Sequence, residues 1–77
     1  MNSWIEKNNA LEKVFTFNTF SEAIAWMGKA ALVIDKLNHH PVWTNKYNTV
    51  HVCLSTHDAG NKITTKDFEL AAALDAI

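Results

Sequence analysis

Val42 to Ser55 reads VWTNKYNTVHVCLS. Two runs rich in β-branched and aromatic residues, Val42 to Lys46 and Thr49 to Ser55, flank the short polar break Tyr47-Asn48, which is the pattern of a β-hairpin. In the second run Val50, Val52 and Leu54 fall on one face, with His51, Cys53 and Ser55 on the other. This is the period of a strand with one face in a core.

The same signature occurs near the N-terminus. Trp4 to Lys7 and Leu11 to Phe17 are separated by Asn8-Asn9-Ala10, and Phe15 and Phe17 alternate with Val14 and Thr16. Between the two hairpins lies a helix. Thr19 and Glu22 have capping-box spacing, in which a hydroxyl and a carboxylate each satisfy a free backbone N–H. Phe20, Ile24, Met27, Ala31 and Ile34 make one apolar stripe, and Ala23, Trp26, Ala30, Val33 and Leu37 make a second beside it. So wide a face predicts a helix that packs on the sheet and also touches something else. A second helix begins near Thr64, with Asp67 at its third position, where a negative charge suits the positive end of the helix dipole. Ile63 and Phe68 are spaced as a hydrophobic staple, and Leu70, Leu74 and Ile77 continue the apolar face. The order is ββαββα: an α+β fold, with a four-stranded antiparallel sheet and both helices on one face.

Seventy-seven residues make one small domain, 1–77. The chain is 48% hydrophobic and 19% charged with two Gly and one Pro, which excludes collagen-like and low-complexity classes. Seven Lys, no Arg and eight acids give a net charge of -1. There is no basic stripe for nucleic acid or an anionic membrane, so neither is an expected partner. The lone Cys53 closes no intrachain disulfide, and the opening MNSWIEKNN has no apolar leader segment. No apolar run approaches the roughly 20 residues needed to span a bilayer. The expectation is a cytoplasmic protein. A domain of this size buries only about 60% of its unfolded surface, and its sheet has two edges, so a homo-oligomer is expected.

The chemistry concentrates in histidine. His39 and His40 precede Pro41 at the entry to the third strand, and His57 lies just past the end of the fourth. The start of one hairpin strand and the end of the other are neighbours, so these imidazoles meet at one end of the sheet. Pro41 disfavours helix at the residue before it and fixes where the pair emerges. Asp35, four residues before His39, is placed to orient an imidazole. A metal site is the rival reading, but adjacent histidines seldom face one ion and no Cys or HxH spacing assists. Cys53 and His51 lie mid-strand, where a small buried thiol and a hydrogen-bonding imidazole are the simpler readings. Trp4, Trp26 and Trp43 belong to the core, with Trp43 a candidate wall for a flat ligand. Imidazoles without metal or nucleophile suit proton transfer, since an unperturbed His titrates near pH 6.5.

The stretch DKLNHHPVWTNKYNTVHVCLSTHDAG, Asp35 to Gly60, resembles the pterin-4a-carbinolamine dehydratases. The pattern is an acid, three residues, His-His-Pro, then Tyr47, then His57 and Asp67. Ser55-Thr56-His57, TKDFELA and the upstream VFTFNTFSEAIAWM extend the likeness over nearly the whole chain. The resemblance implies dehydration of 4a-hydroxytetrahydrobiopterin to quinonoid dihydrobiopterin and water, which recycles the pterin of aromatic amino-acid hydroxylases. It implies no metal and no organic cofactor. It also implies that His39 and His57 are the acid/base pair and that His40 binds and orients the pterin. Pro41, Thr56, Asp58 and Ala59 would line the pocket, with Asp35 supporting the histidines and Trp43 and Lys66 also binding substrate.

The chain departs from that pattern. Family members carry a helix before the first strand, whereas here Trp4 is almost the first residue, so dimer and tetramer both stay open. Asp35 stands where Glu is common, Lys66 replaces a frequent Arg, and the loop after His57 is one residue longer. The competing expectation is a non-enzymatic dimerisation or transcription-factor cofactor module that uses the Thr19 to Leu37 helix face. A third is an oligomerisation domain with a vestigial pocket.

Overall fold

The computed structural model of the chain describes residues 4–77. Met1 to Ser3, on which the leader-free reading of the N-terminus partly rests, lie outside the described residues. The elements are β1 (Ile5–Lys7), β2 (Ala10–Thr16), α1 (Phe20–Leu37), β3 (Val42–Lys46), β4 (Thr49–Leu54) and α2 (Thr65–Asp75), with a 3₁₀ turn at His57–Ala59 between β4 and α2. All strand pairs are antiparallel, and their order across the sheet is β1-β2-β4-β3. The expected ββαββα architecture is the one observed.

Each hairpin turns where the sequence breaks. Asn8 and Asn9 both take positive φ, 53° and 63°, between the paired Lys7 and Ala10. Asn tolerates this region better than other non-glycine residues, and two such residues match the right-handed twist of the strands. Tyr47 takes φ 51° in the second hairpin. Asn45 braces that turn by donating from Nδ2 to the carbonyls of Tyr47 and Thr49. Strand β2 begins one residue earlier than the sequence suggested, at Ala10, and ends at Thr16 rather than Phe17. Phe17 continues by backbone: its N–H donates to the Asn48 carbonyl at 2.8 Å.

Both helices start on threonine caps. Thr19 Oγ1 accepts from the Glu22 N–H at 3.1 Å, but the Glu22 carboxylate receives the N–H of Asn18 rather than that of Thr19. At α2 the capping box is complete, with Thr64 N–H donating to Asp67 Oδ2 at 2.8 Å. Helix α1 ends on Asn38 in the left-handed region (φ 51°), its N–H on the carbonyls of Ile34 and Asp35, which is a usual Asn role at a helix C-terminus.

The core lies between the helices and one face of the sheet. Val50, Val52 and Leu54 from β4 meet Ala23, Trp26, Ala30 and Ile34 of α1 and Leu70, Ala71 and Leu74 of α2. Burying each of the larger aliphatic side chains contributes about 1.5–3 kcal/mol. Phe15 stacks on Trp26 with ring centroids 4.4 Å apart, and Trp4 meets Phe15 edge-on. Asp75 ties the end of α2 to the sheet by accepting from Trp4 Nε1 at 2.8 Å and from Lys13 Nζ at 2.6 Å. On α1 the stripe through Ala23, Trp26 and Ala30 faces this core, while Phe20, Ile24 and Ala31 of the other stripe are exposed. Among the described residues no helix covers the opposite sheet face, and Cys53, expected as a buried thiol, is only half-buried. Among the described residues no helix is long and apolar enough to cross a membrane.

Candidate functional site

The Schellman-like end of α1 delivers His39 into the body of the protein. Asn38 reverses the chain, His39 N–H stays on the Ile34 carbonyl, and Pro41 leads into β3. His39 is mostly buried, and its Nε2 lies 2.6 Å from Asp67 Oδ1. Asp67 is fully buried, the only charged residue in the described core. A buried carboxylate needs hydrogen bonds to every face it presents, and Asp67 has them. Its Oδ2 accepts from Thr56 Oγ1 and from the Thr64 N–H, both at 2.8 Å.

The protons of this network follow by elimination. Thr56 has one hydroxyl proton and gives it to Asp67, so the 2.6 Å contact between Thr56 Oγ1 and Thr64 Oγ1 is donated by Thr64. Thr64 Oγ1 in turn accepts the Lys66 N–H at 3.3 Å. With Asp67 ionised, the contact at Oδ1 is donated by His39 Nε2–H. Whenever the ring carries a single proton, this contact holds it in the tautomer that leaves Nδ1 as a lone pair. Among the described residues no buried side-chain polar atom lacks a partner.

His57 is rooted in the same network, because it directly follows Thr56. The bridge between Thr56 and Lys62 closes the intervening residues into a tight loop, with Thr56 N–H on the Lys62 carbonyl at 2.8 Å. Gly60 closes the 3₁₀ turn at φ 78°, a region where only glycine is free of strain, and its N–H lies on the His57 carbonyl. His57 Nδ1 is 3.2 Å from Asn61 Oδ1, and the ring is exposed.

His40 is exposed and pairs with Asp35 at 3.3 Å, so Asp35 supports His40 and not His39. Pro41 is half-buried, and Asp58 and Ala59 are exposed in the 3₁₀ turn. Thr56, expected to line the pocket, is buried with its hydroxyl committed to Asp67. Lys66 is exposed on the first turn of α2. Trp43 packs against Trp26 at the core, 6.3 Å between ring centroids. The residue that sequence reasoning missed is Asp67 as the partner of His39. Its capping position already accounted for an acid there, and the available signal was its place as the last element of the family-like pattern. Three recesses have none of His39, His40 and His57 in their lining: one beside Asn8, Asn9 and Lys62, one beside Phe17, Trp26 and Leu74, and one beside Ile5, Glu12 and His51. The chemistry of the His39 region outweighs their size as a guide to the site.

Comparison with known proteins agrees over the full length. The chain matches the family described as Pterin 4 alpha carbinolamine dehydratase over residues 1–77. A relative from Opitutus terrae, provisionally named a pterin-4-alpha-carbinolamine dehydratase, is 47% identical over all of this chain and 79% of its own. A relative from Bradyrhizobium diazoefficiens with the same provisional name is 51% identical over 96% of this chain and 75% of its own. A crystal structure from Brucella melitensis, described as a transcriptional coactivator/pterin dehydratase, superposes with TM-score 0.90 at 39% identity, covering 97% of this chain and 81% of that one. A pterin dehydratase-like protein described as a RuBisCO assembly factor in the alpha-carboxysome shares the fold, with TM-score 0.82 at 22% identity over 97% of this chain and 88% of that one. The family match over the full length, the relatives at 47% and 51% identity and the shared fold lead to one conclusion: the chain belongs to the pterin-4-alpha-carbinolamine dehydratase family.

Proposed function

We propose that this chain is a hydro-lyase that converts 4a-hydroxytetrahydrobiopterin to quinonoid dihydrobiopterin and water in the cytoplasm, recycling the pterin of aromatic amino-acid hydroxylases by histidine general acid/base catalysis. The observation that carries the reading is the 2.6 Å contact between His39 Nε2 and the fully buried Asp67 carboxylate. A carboxylate in that position fixes ring orientation and tautomer, which is what a proton-transfer imidazole needs.

In the elimination the C4a–O bond breaks as the N5 lone pair forms the C4a=N5 bond. The departing hydroxyl takes a proton from one imidazolium and leaves as water. The proton on N5 goes to the other imidazole, so one proton is given and one taken. His39 presents Nδ1 for one of these transfers, and His57, on the loop rooted at Thr56, serves the other. Exposed His40, held by Asp35, binds and orients the pterin, with Pro41, Asp58 and Ala59 lining the site and Trp43 and Lys66 at its margin. Thr56 acts through Asp67 as a positioning residue. The active form is a homodimer or homotetramer.

Stopped-flow absorbance of 4a-hydroxytetrahydropterin decay tests the reading. Wild type should accelerate dehydration, and His39→Ala and His57→Ala should each lose most of that acceleration. A folded wild type that matches the buffer rate refutes it.

A second reading is favoured by the exposed α1 face. Phe20, Ile24 and Leu32 are 49%, 44% and 74% exposed, a surface suited to a helical partner such as a transcription-factor dimerisation segment. Under that reading, polar substitutions at these three positions abolish partner binding and spare turnover.

A further inference from the structure

The uncovered face of the sheet carries a second cluster of side chains with chemistry. His51 and Cys53 are two apart on β4 and project from the same side, away from both helices. The β2–β4 register sets Glu12 directly opposite Cys53. His51 Nε2 is 3.0 Å from Glu12 Oε1 and 3.8 Å from Cys53 Sγ, and the three donor atoms all lie within 4.8 Å of one another. Both β2 and β4 are interior strands of the sheet, hydrogen-bonded on each side. The backbones that carry the three groups are therefore fixed by ladders, not by loops.

The donor set is an imidazole nitrogen, a sulfur and a carboxylate oxygen. In a tetrahedral zinc site with metal–ligand bonds of about 2.0–2.3 Å, neighbouring donor atoms stand ~3.3–3.6 Å apart. The observed 3.0 and 3.8 Å straddle that range, so small side-chain rotations close the shell. A thiolate and a carboxylate together balance a divalent charge. Sulfur and imidazole select a borderline first-row ion and reject Mg²⁺ and Ca²⁺, which take oxygen shells. Ile5 lies across from Glu12, Val14 from His51 and Val42 from Cys53, so the cluster has an apolar rim. With His51 about half exposed, the fourth position opens to solvent.

We propose that Glu12, His51 and Cys53 form a three-ligand site for a borderline divalent cation, with Zn²⁺ the best match, separate from the His39–Asp67 network and leaving one coordination position for water or an external ligand. The site is independent of the dehydratase reading, because none of its three residues serves that chemistry.

The test is anaerobic titration of the full reduced chain with Co²⁺, followed by displacement with Zn²⁺. The expected result is one Co²⁺ per chain, tetrahedral ligand-field bands, a thiolate-to-cobalt charge-transfer band in the near ultraviolet, and loss of all bands on Zn²⁺ addition. Cys53→Ser should abolish the charge-transfer band, and Glu12→Gln and His51→Ala should each weaken binding at least tenfold. The double variant His39→Ala/His57→Ala should bind as wild type does. Circular dichroism of each variant separates loss of the site from loss of the fold, and Cys53→Ser, on a half-exposed face, is the variant least exposed to that ambiguity. Absence of the sulfur band in wild type overturns the proposal. So does unchanged affinity in Cys53→Ser, or loss of binding in the double variant, which would put the metal at the other histidines.

Discussion

His39 and Asp67 are 28 residues apart in sequence and 2.6 Å apart in space, and the carboxylate that holds the imidazole also caps α2. One side chain thus serves the fold through Oδ2 and the candidate chemistry through Oδ1.

Asp67→Asn separates the two roles only in part. The amide offers one acceptor oxygen where the carboxylate offers two, so either His39 or the Thr56/Thr64 side loses its partner. By analogy with other histidines deprived of an orienting carboxylate, kcat should fall by about two to four orders of magnitude with a smaller change in KM. Asp67→Ala should in addition destabilise by about 3–5 kcal/mol, since it strands several buried donors. Steady-state kinetics and urea melts on the two variants check this, and an Asn variant with wild-type kcat would break the link between Asp67 and turnover.

Thr56→Val keeps the side-chain volume and removes the hydroxyl between Asp67 and Thr64. The buried Asp67 and the half-buried Thr64 then each lose a partner, at a cost of about 1–3 kcal/mol. Calorimetry should record a fall of roughly 4–8 °C in Tm for each kcal/mol in a domain of this size. An unchanged Tm would mean that water replaces the hydroxyl without penalty.

The exposed pair of His40 and Asp35 should behave in the opposite way. Surface ion pairs contribute little, so Asp35→Asn should shift stability by no more than about 0.5 kcal/mol. If His40 orients the pterin, His40→Ala raises KM more than it lowers kcat. A purely kcat effect would move His40 into the proton-transfer step.

Cys53 supplies a pH-dependent signature. Burial, and then the Glu12 carboxylate beside it, push the thiol above its ordinary value of 9.0. Less thiolate is present at neutral pH, so in the presence of a chelator iodoacetamide should react more slowly with Cys53 than with a free cysteine. Glu12→Gln removes only the electrostatic and hydrogen-bonding part and should restore part of the rate. Because the folded state holds the thiol proton more tightly than the unfolded one, this group's contribution to stability is complete below pH 9.0 and is lost as pH rises above it. Alkylation rates measured by mass spectrometry against pH test both statements.

The elements were legible in the sequence because their causes are local. Asn8-Asn9 and Tyr47-Asn48 mark the turns, Thr19 and Thr64 mark the helix starts, and the alternation of Val50, Val52 and Leu54 marks the core face. The partner of His39 was not, because no local spacing joins residues 39 and 67. The spacing placed Asp35 to orient an imidazole of the His39-His40 pair without choosing between the two. The left-handed Asn38 turns the chain after α1, and of the two it is His40 that Asp35 meets. The Glu12–His51–Cys53 cluster was hidden for a related reason: the His-x-Cys spacing is visible, but Glu12 joins it only through the β2–β4 register.

The double duty of Asp67 bears on how such chains can be read across a lineage. The Thr64 N–H needs an acceptor whether or not a pterin is ever bound, so a descendant that abandons the reaction still has reason to keep an acid at position 67. His39 is bound by the same duty, because its loss would leave the buried Oδ1 of Asp67 without its donor. The buried pair is therefore expected to persist for the sake of the fold even in a descendant that abandons the reaction.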